Sequence, residues 1–187
     1  AIAAIGSNYR TLRISSPQTI SANISFPTNI YVVVVGNGSL TLNNAAANFD
    51  GGFYARANRK VFFFTGTGRV TFGNVDCTGG CTQAAMMPAS DKIISTLHAA
   101  WWVVGDAAPG AGGALNGTDD TTNFQKMLDV LPGDSHVILD PGLACKTTAD
   151  LNLKNRKGVV LDGLIGVRES GYFAEKPFTL IYNGPDG

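Results

Sequence analysis

The adjacent carboxylates Asp119 and Asp120 are the first residues in this chain whose type and spacing could do chemistry. Paired acids can share the general acid and base work of glycosidic cleavage. Their neighbours point elsewhere. Downstream, Phe124, Met127, Leu128 and Leu131 stand at i, i+3, i+4 and i+7, which puts all four on one stripe of a helix. Carboxylates at a helix start accept bonds from the unpaired N–H groups there and complement the dipole, so Asp119 and Asp120 are assigned to capping. Asp162 with Arg168 and Glu169 is the other acidic cluster, and Asp140 and Glu175 are further single acids. All stand in or beside turns, and solvated turn residues are the favoured reading over a catalytic set.

Trp101 and Trp102 offer apolar faces that suit the CH faces of sugar rings. Trp101 is read as core, and Trp102 stays open between core and carbohydrate contact. Cys77 and Cys81 flank Thr78-Gly79-Gly80 and are either a small disulfide or two thiols, depending on the redox compartment. Cys145 reads as a small buried core residue. His98 and His136 are isolated in sequence, so no zinc set, other metal or cofactor is expected.

The 187 residues are 44% hydrophobic and only 15% charged, with formal net charge zero, so the core can be substantial and the surface is largely neutral. No basic excess of the kind nucleic acid or anionic lipid demands appears in the totals. The apolar run Tyr31-Val32-Val33-Val34-Val35 is far short of the roughly 20 residues that span a bilayer, so membrane insertion is not expected. The first five residues lack the basic flank and long apolar stretch of a signal peptide, which leaves the compartment open.

The elements that must position these residues are mostly strands. Alternation or β-rich composition predicts strands over 10–14, 19–26, 30–35, 39–42, 53–55, 61–64 and 69–75, with 43–50 as loop and a weak helical start over 90–98. Asn37-Gly38 could close a hairpin, which would make an antiparallel sandwich. The unbroken Val32-Val33-Val34-Val35 suits a strand covered on both faces or stacked in a coil. Both alternatives stand. Gly105 to Gly117 is a Gly/Ala/Pro loop, and a helix is predicted over 118–131, ended by Pro132-Gly133. Short strands return over 136–140, 143–147, 151–153, 159–161 and 178–182, as expected where a β-solenoid begins.

The order of motifs from Trp101 to Gly163 resembles the opening of the pectate-lyase-like superfamily of phage tailspikes and bacterial surface proteins. The matching elements are Trp101-Trp102-Val103-Val104, Gly105-Asp106, Thr118-Asp119-Asp120-Thr121, Pro132-Gly133, Val137-Ile138-Leu139-Asp140-Pro141-Gly142 and Leu151-Asn152-Leu153-Lys154. The chain departs from the pattern at Val103, where the family has Gly, and in the inserted segment 107–116. The resemblance implies an all-β fold, a right-handed parallel β-helix (single-stranded solenoid) with one N-terminal capping α-helix and a preceding small β-rich region. It places a leading region at 1–100 and the capping helix with the first coils at 101–187. It further implies a polysaccharide partner such as capsule or O-antigen, a homotrimer, contact with other virion tail proteins, and a virion-tail or cell-surface location. The implied role is the capping and anchoring part of a glycan-binding or depolymerising protein; the alternatives are a non-enzymatic tail module and a piece of a secreted lyase or glycosidase.

Overall fold

Phe26, Phe49 and Phe72 recur at an interval of 23 residues, and the chain folds so that they stack in one column. The computed structural model describes residues 5–56, 59–73, 96–109, 115–131, 136–152, 160–162, 165–167 and 178–182. Within it the chain is a parallel β-solenoid of about five turns.

Among the described residues, coils are present from Arg10 onward, well ahead of the helix. β1 (Arg10–Ile14), β4 (Ile30–Val34) and β7 (Phe53–Ala55) form one parallel sheet. A second contains β2 (Pro17–Ile20), β5 (Ser39–Asn43) and β8 (Phe62–Thr65), and a third β3 (Ile24–Phe26), β6 (Ala46–Phe49) and β9 (Arg69–Phe72). Each coil therefore contributes one strand to each of three sheets.

Alternation along each strand sends one set of side chains inward. Ile14, Val34 and Ala55 form one inward row, Leu40 and Phe62 another, and Phe26, Phe49 and Phe72 a third. The Phe26 and Phe49 rings stack at 4.8 Å with only 4° between planes, and Phe49 meets Phe72 at 5.7 Å. Such pairs add about 0.5–1.5 kcal/mol beyond area burial.

Asn37-Gly38 lies at a corner between β4 and β5, strands of different sheets, so the hairpin alternative falls. Gly38 is required there by close stacking: a Cβ would lie 2.1 Å from the Ile14 carbonyl oxygen of the coil below. Gly68 repeats this one coil on, at 2.0 Å from the Leu42 carbonyl oxygen. The Arg59 guanidinium donates to the Gly36 and Gly38 carbonyls and fastens the same corner. Residues 43–50, expected as loop, contain β6, because alignment between β3 and β9 offsets the poor strand propensity of Ala and Asn. The alternation over 19–26 is split, since a corner at 21–23 turns the chain between sheets.

Trp101 and Trp102 continue the core beyond the third coil. Trp101 packs 5.3 Å from Phe53, and Trp102 packs 4.9 Å from Phe62 and 6.0 Å from Phe72. The Val61 N–H donates to the Trp101 carbonyl at 3.0 Å, which joins this layer to the third coil.

β10 (Thr96–His98) then starts a parallel sheet with β13 (His136–Ile138) and β15 (Val160–Asp162). Of the helical start expected over 90–98, Thr96–His98 is a strand, and residues 90–95 lie outside the described residues. β11 (Ala108–Pro109) and β12 (Leu115–Asn116) form a small antiparallel pair. β17 (Phe178–Tyr182) lies between β14 (Ala144–Thr147) and β16 (Ile165–Val167), parallel to both. Leu151 and Asn152 are outside any strand.

The helix α1 spans Thr121–Asp129 and is the only α-helical element of any length among the described residues. Phe124, Met127, Leu128 and Leu131 are all buried in the common core. It does not cap the solenoid's beginning, because the coils of 10–72 precede it. Lys126 Nζ donates to the Gly68 carbonyl at 2.6 Å, and Gln125 Nε2 donates to the Asn152 carbonyl at 2.9 Å, so α1 bridges the third coil and the segment after β14. At the start of the coils, the Asn29 amide donates to the carbonyls of Gly6 and Asn8, both at 2.8 Å, and Ile5 packs against the core.

Candidate functional site

Strand alternation that sends Phe26, Phe49 and Phe72 into the core turns Ser25, Asn48 and Thr71 to the other side of the third sheet, where Ser25 is exposed and Asn48 and Thr71 are themselves buried. There they form a ladder across the coils. Thr71 Oγ1 bonds Asn48 Oδ1 at 3.0 Å, Asn48 Nδ2 donates to Ser25 Oγ at 3.3 Å, and Ser25 Oγ donates to Asp50 Oδ2 at 3.3 Å. The polarity runs one way and ends on a carboxylate. With Asn23 and Arg69 the ladder lines a groove of about 380 Å³. Neutral amide and hydroxyl groups held in register by a rigid sheet can exchange hydrogen bonds with the hydroxyls of a bound polyol, because they both donate and accept.

The outer face of the β10, β13 and β15 sheet brings together acids and imidazoles that are far apart in sequence. His98 Nδ1 lies 2.7 Å from Asp140 Oδ1, while Asp140 Oδ2 accepts the Ala100 N–H at 2.9 Å. Asp140 is nearly enclosed and His98 is one-fifth exposed, so this pair ties adjacent coils. His136 Nε2 meets Asp162 Oδ2 at 2.8 Å in the open, with the carboxylate 61% exposed. Asp162 is therefore placed beside His136; Arg168 and Glu169 lie outside the described residues. Sequence spacing could not show this pairing, because it depends on the register His136↔Val160.

The carboxylates around α1 are held by donors. Asp119 Oδ1 accepts the Thr121 N–H at 2.9 Å and its hydroxyl at 2.5 Å, and Oδ2 accepts the Thr148 hydroxyl at 2.6 Å. The Thr121 and Thr148 hydroxyls hold its carboxyl below the usual value, with Lys146 adding a smaller favourable charge. Asp106 accepts the Thr118 N–H at 2.7 Å and its hydroxyl at 3.0 Å, and the backbone bond is the main reason its pKa is lowered.

Asp120 occupies the N-cap position but makes no side-chain bond to the helix. Its oxygens turn away and accept the N–H groups of Val104 at 2.8 Å and Gly105 at 2.9 Å. Its capping assignment is corrected accordingly: the side chain, fully buried, secures the turn after the tryptophans instead. Burial lowers the Lys60 pKa, partly opposed by the Asp120 charge. Burial likewise raises the Cys145 thiol far above its ordinary range, helped by the Asp120 and Asp106 charges.

Trp102 is fully buried among Phe62, Phe72 and Trp101, so it presents no face to a sugar. Its Nε1 has no hydrogen-bond partner among the described residues, whereas Trp101 Nε1 donates to the Arg56 carbonyl at 3.2 Å. Cys77 and Cys81 lie outside the described residues, and Cys145 is a free, buried thiol. Among the described residues no group of three His, Cys, Asp or Glu side chains could hold a metal, and no helix is long and apolar enough to cross a membrane.

Comparison with known proteins gives no match to a family model, a curated protein or a solved structure. The fold is thus defined as a parallel β-solenoid, and function must be argued from the site.

Proposed function

We propose that the chain is the leading part of a polysaccharide-binding or polysaccharide-depolymerising β-solenoid of tailspike type, right-handed and trimeric when complete, on a virion tail or cell surface. The observation that carries this reading is the groove over Ser25, Asn48 and Thr71, where alternating donors and acceptors stand on consecutive coils. A solenoid repeats its lateral surface coil by coil, and a polysaccharide repeats its hydroxyls residue by residue. The low charge content supports a neutral polyol partner as well.

Affinity electrophoresis of the whole chain through gels containing single polysaccharides tests the reading. Retardation by at least one polymer is expected, weakened by Thr71→Val, which removes one rung of the ladder at nearly constant shape. Mobility unaffected by every capsular, O-antigen and plant polymer tried would overturn it.

A second reading, a non-enzymatic tail module, has its own support. Asp106, Asp119, Asp120 and Asp140 each accept internal hydrogen bonds, and the 61% exposed Asp162 is engaged by His136. Absence of new reducing ends or unsaturated products on prolonged incubation with a retained polymer would favour it over depolymerisation.

A further inference from the structure

The apolar stripe of α1 seals against the core, but its flank does not close on the coils. Between the helix and the Gly66-Thr67-Gly68 corner that links β8 to β9 lies an open cleft of about 460 Å³. Sites for small molecules are of this size.

Both walls of the cleft are fixed by hydrogen bonds. On the corner side, Asn44 Oδ1 accepts the Thr67 N–H at 3.2 Å, and Gly68 is stacked closely on the Leu42 carbonyl. On the helix side, Gln125 is held twice by Asn152: its Nε2 donates to the Asn152 carbonyl at 2.9 Å, and its Oε1 accepts the Asn152 N–H at 2.8 Å. A cleft with such walls is preformed, so a ligand entering it has little protein to order.

Asp129 is the unbalanced group here. It lines the cleft although the residue is only 8% exposed. Its Oδ1 accepts Gln125 Nε2 at 2.8 Å, whereas its Oδ2 has no donor among the described residues. That oxygen is not sealed in. The only fully enclosed side-chain nitrogen or oxygen without a partner among the described residues is Trp102 Nε1, so Asp129 Oδ2 opens on the cleft.

No cation answers the Asp129 charge among the described residues. Lys126 stands three residues earlier, a spacing at which opposite charges can meet on a helix. Its Nζ is committed elsewhere, donating to the Gly68 carbonyl at 2.6 Å and lying 4.7 Å from the centre of the Phe64 ring. Arg69, also on the cleft wall, has an interaction of its own. Asp129 is moreover the last residue of α1, where the helix dipole disfavours negative charge. A nearly buried carboxylate without a counter-charge is costly to hold, and a ligand that brings a cation removes that cost.

We propose that this cleft binds a small organic amine, its ammonium group donating to Asp129 Oδ2 and its body lying between Val130 and the Gly66–Gly68 corner. The exposed Asp150 carboxylate, on the same cleft, is placed to receive a second amino group. A metal ion fits less well, because the cleft has two carboxylates and no imidazole or thiol, and no group of three such ligands occurs among the described residues. The site shares only Arg69 with the groove over Ser25, Asn48 and Thr71 and does not depend on the glycan reading.

Calorimetric titration of the whole chain with cadaverine, agmatine and benzylamine tests the inference, with glutarate, 1,5-pentanediol and calcium chloride as comparisons. Saturable one-to-one binding of at least one amine is expected, tighter than that of any comparison compound. Asp129→Asn keeps the acceptor for Gln125 but puts a donor in place of the open oxygen, so it should weaken the amine at least tenfold without lowering the melting temperature. Thr122→Trp fills the cleft from an exposed helix position and should block the amine, again with melting unchanged. Thr71→Val should leave amine binding intact, which separates this site from the groove. Absence of saturable binding by every amine, tighter binding of glutarate, displacement of the amine by calcium, or full amine affinity in Asp129→Asn would each overturn the proposal. Should Asp129→Asn fail to fold, Thr122→Trp decides: undiminished amine affinity there places the amine outside this cleft and overturns it equally.

Discussion

Asp120→Asn is the most incisive perturbation of this fold. The native carboxylate is fully buried and each oxygen accepts one backbone N–H, from Val104 at 2.8 Å and Gly105 at 2.9 Å. Asparagine preserves the shape but supplies one carbonyl oxygen and one NH2 group, so one of the two amides must face another donor. Hydrogen bonds to a charged acceptor contribute about 1.5–3 kcal/mol each, and a buried N–H left unsatisfied costs about 1–3 kcal/mol. Losing one bond, weakening the other and burying a donor beside a donor should together cost about 3–5 kcal/mol. For a chain of this size each kcal/mol moves the melting temperature by about 2–4 °C, so a fall of roughly 6–20 °C is expected. Thermal melting by circular dichroism, with urea midpoints alongside, measures it. Lys60→Met supplies the coupling term: Asp120 favours the charged Lys60, so this substitution should cost less in the Asp120→Asn background than in wild type. A melting temperature for Asp120→Asn within about 2 °C of wild type would refute the assignment of Asp120 as the anchor of the 104–105 turn.

Asp119 makes the fold acid-sensitive in a defined direction. Its folded pKa is lowered by Thr121 and Thr148, so its contribution is complete above the unfolded value of 3.8 and is lost as pH falls below it. Thr148→Val should therefore melt lower than wild type near neutrality, with the gap narrowing in acid; a gap independent of pH would contradict the bond. Cys145, buried with a raised pKa, should resist iodoacetamide until the protein unfolds. Because the thiolate forms more readily in the unfolded chain, Cys145 should also make stability fall as pH rises above about 8.5, a slope that Cys145→Ala removes. The two tryptophans should separate in urea titrations: Trp101→Phe forfeits the bond to the Arg56 carbonyl, whereas Trp102→Phe forfeits none seen among the described residues, so the first should be the costlier. Equal midpoints would count against that difference.

Local pattern was sufficient for elements whose signal is local. The spacing of Phe124, Met127, Leu128 and Leu131 predicts a helix over 118–131, and α1 spans Thr121–Asp129 within it, all four residues facing the core. The strands around Val32, Phe62 and Val137 follow equally from composition. Asn37-Gly38 was undecidable locally, because the dipeptide bends the backbone for a hairpin and for a solenoid corner alike. What distinguishes the two is whether β4 bonds to β5 or to β1 and β7, a relation between residues about 20 apart. The recurrence of Phe26, Phe49 and Phe72, with hydrogen bonds joining residues 23 apart at Asn23, Ser25, Asn44 and Asn48, is the signal that reveals the coils in retrospect. It is diluted because other rows repeat at different intervals, such as Leu40 with Phe62 and Val34 with Ala55.

By itself, then, the sequence determined that the chain is β-rich with an amphipathic helix within 118–131, because strand alternation and helical periodicity are written in consecutive residues. The tertiary structure alone decided the roles of individual side chains. Asp119 and Asp120 are neighbours in sequence, yet one bonds threonine hydroxyls at the surface and the other anchors a buried turn. Trp102 lies within the core, and Asp162 faces His136. Each of these outcomes depends on which coil stacks on which, and stacking brings together groups that no local spacing connects.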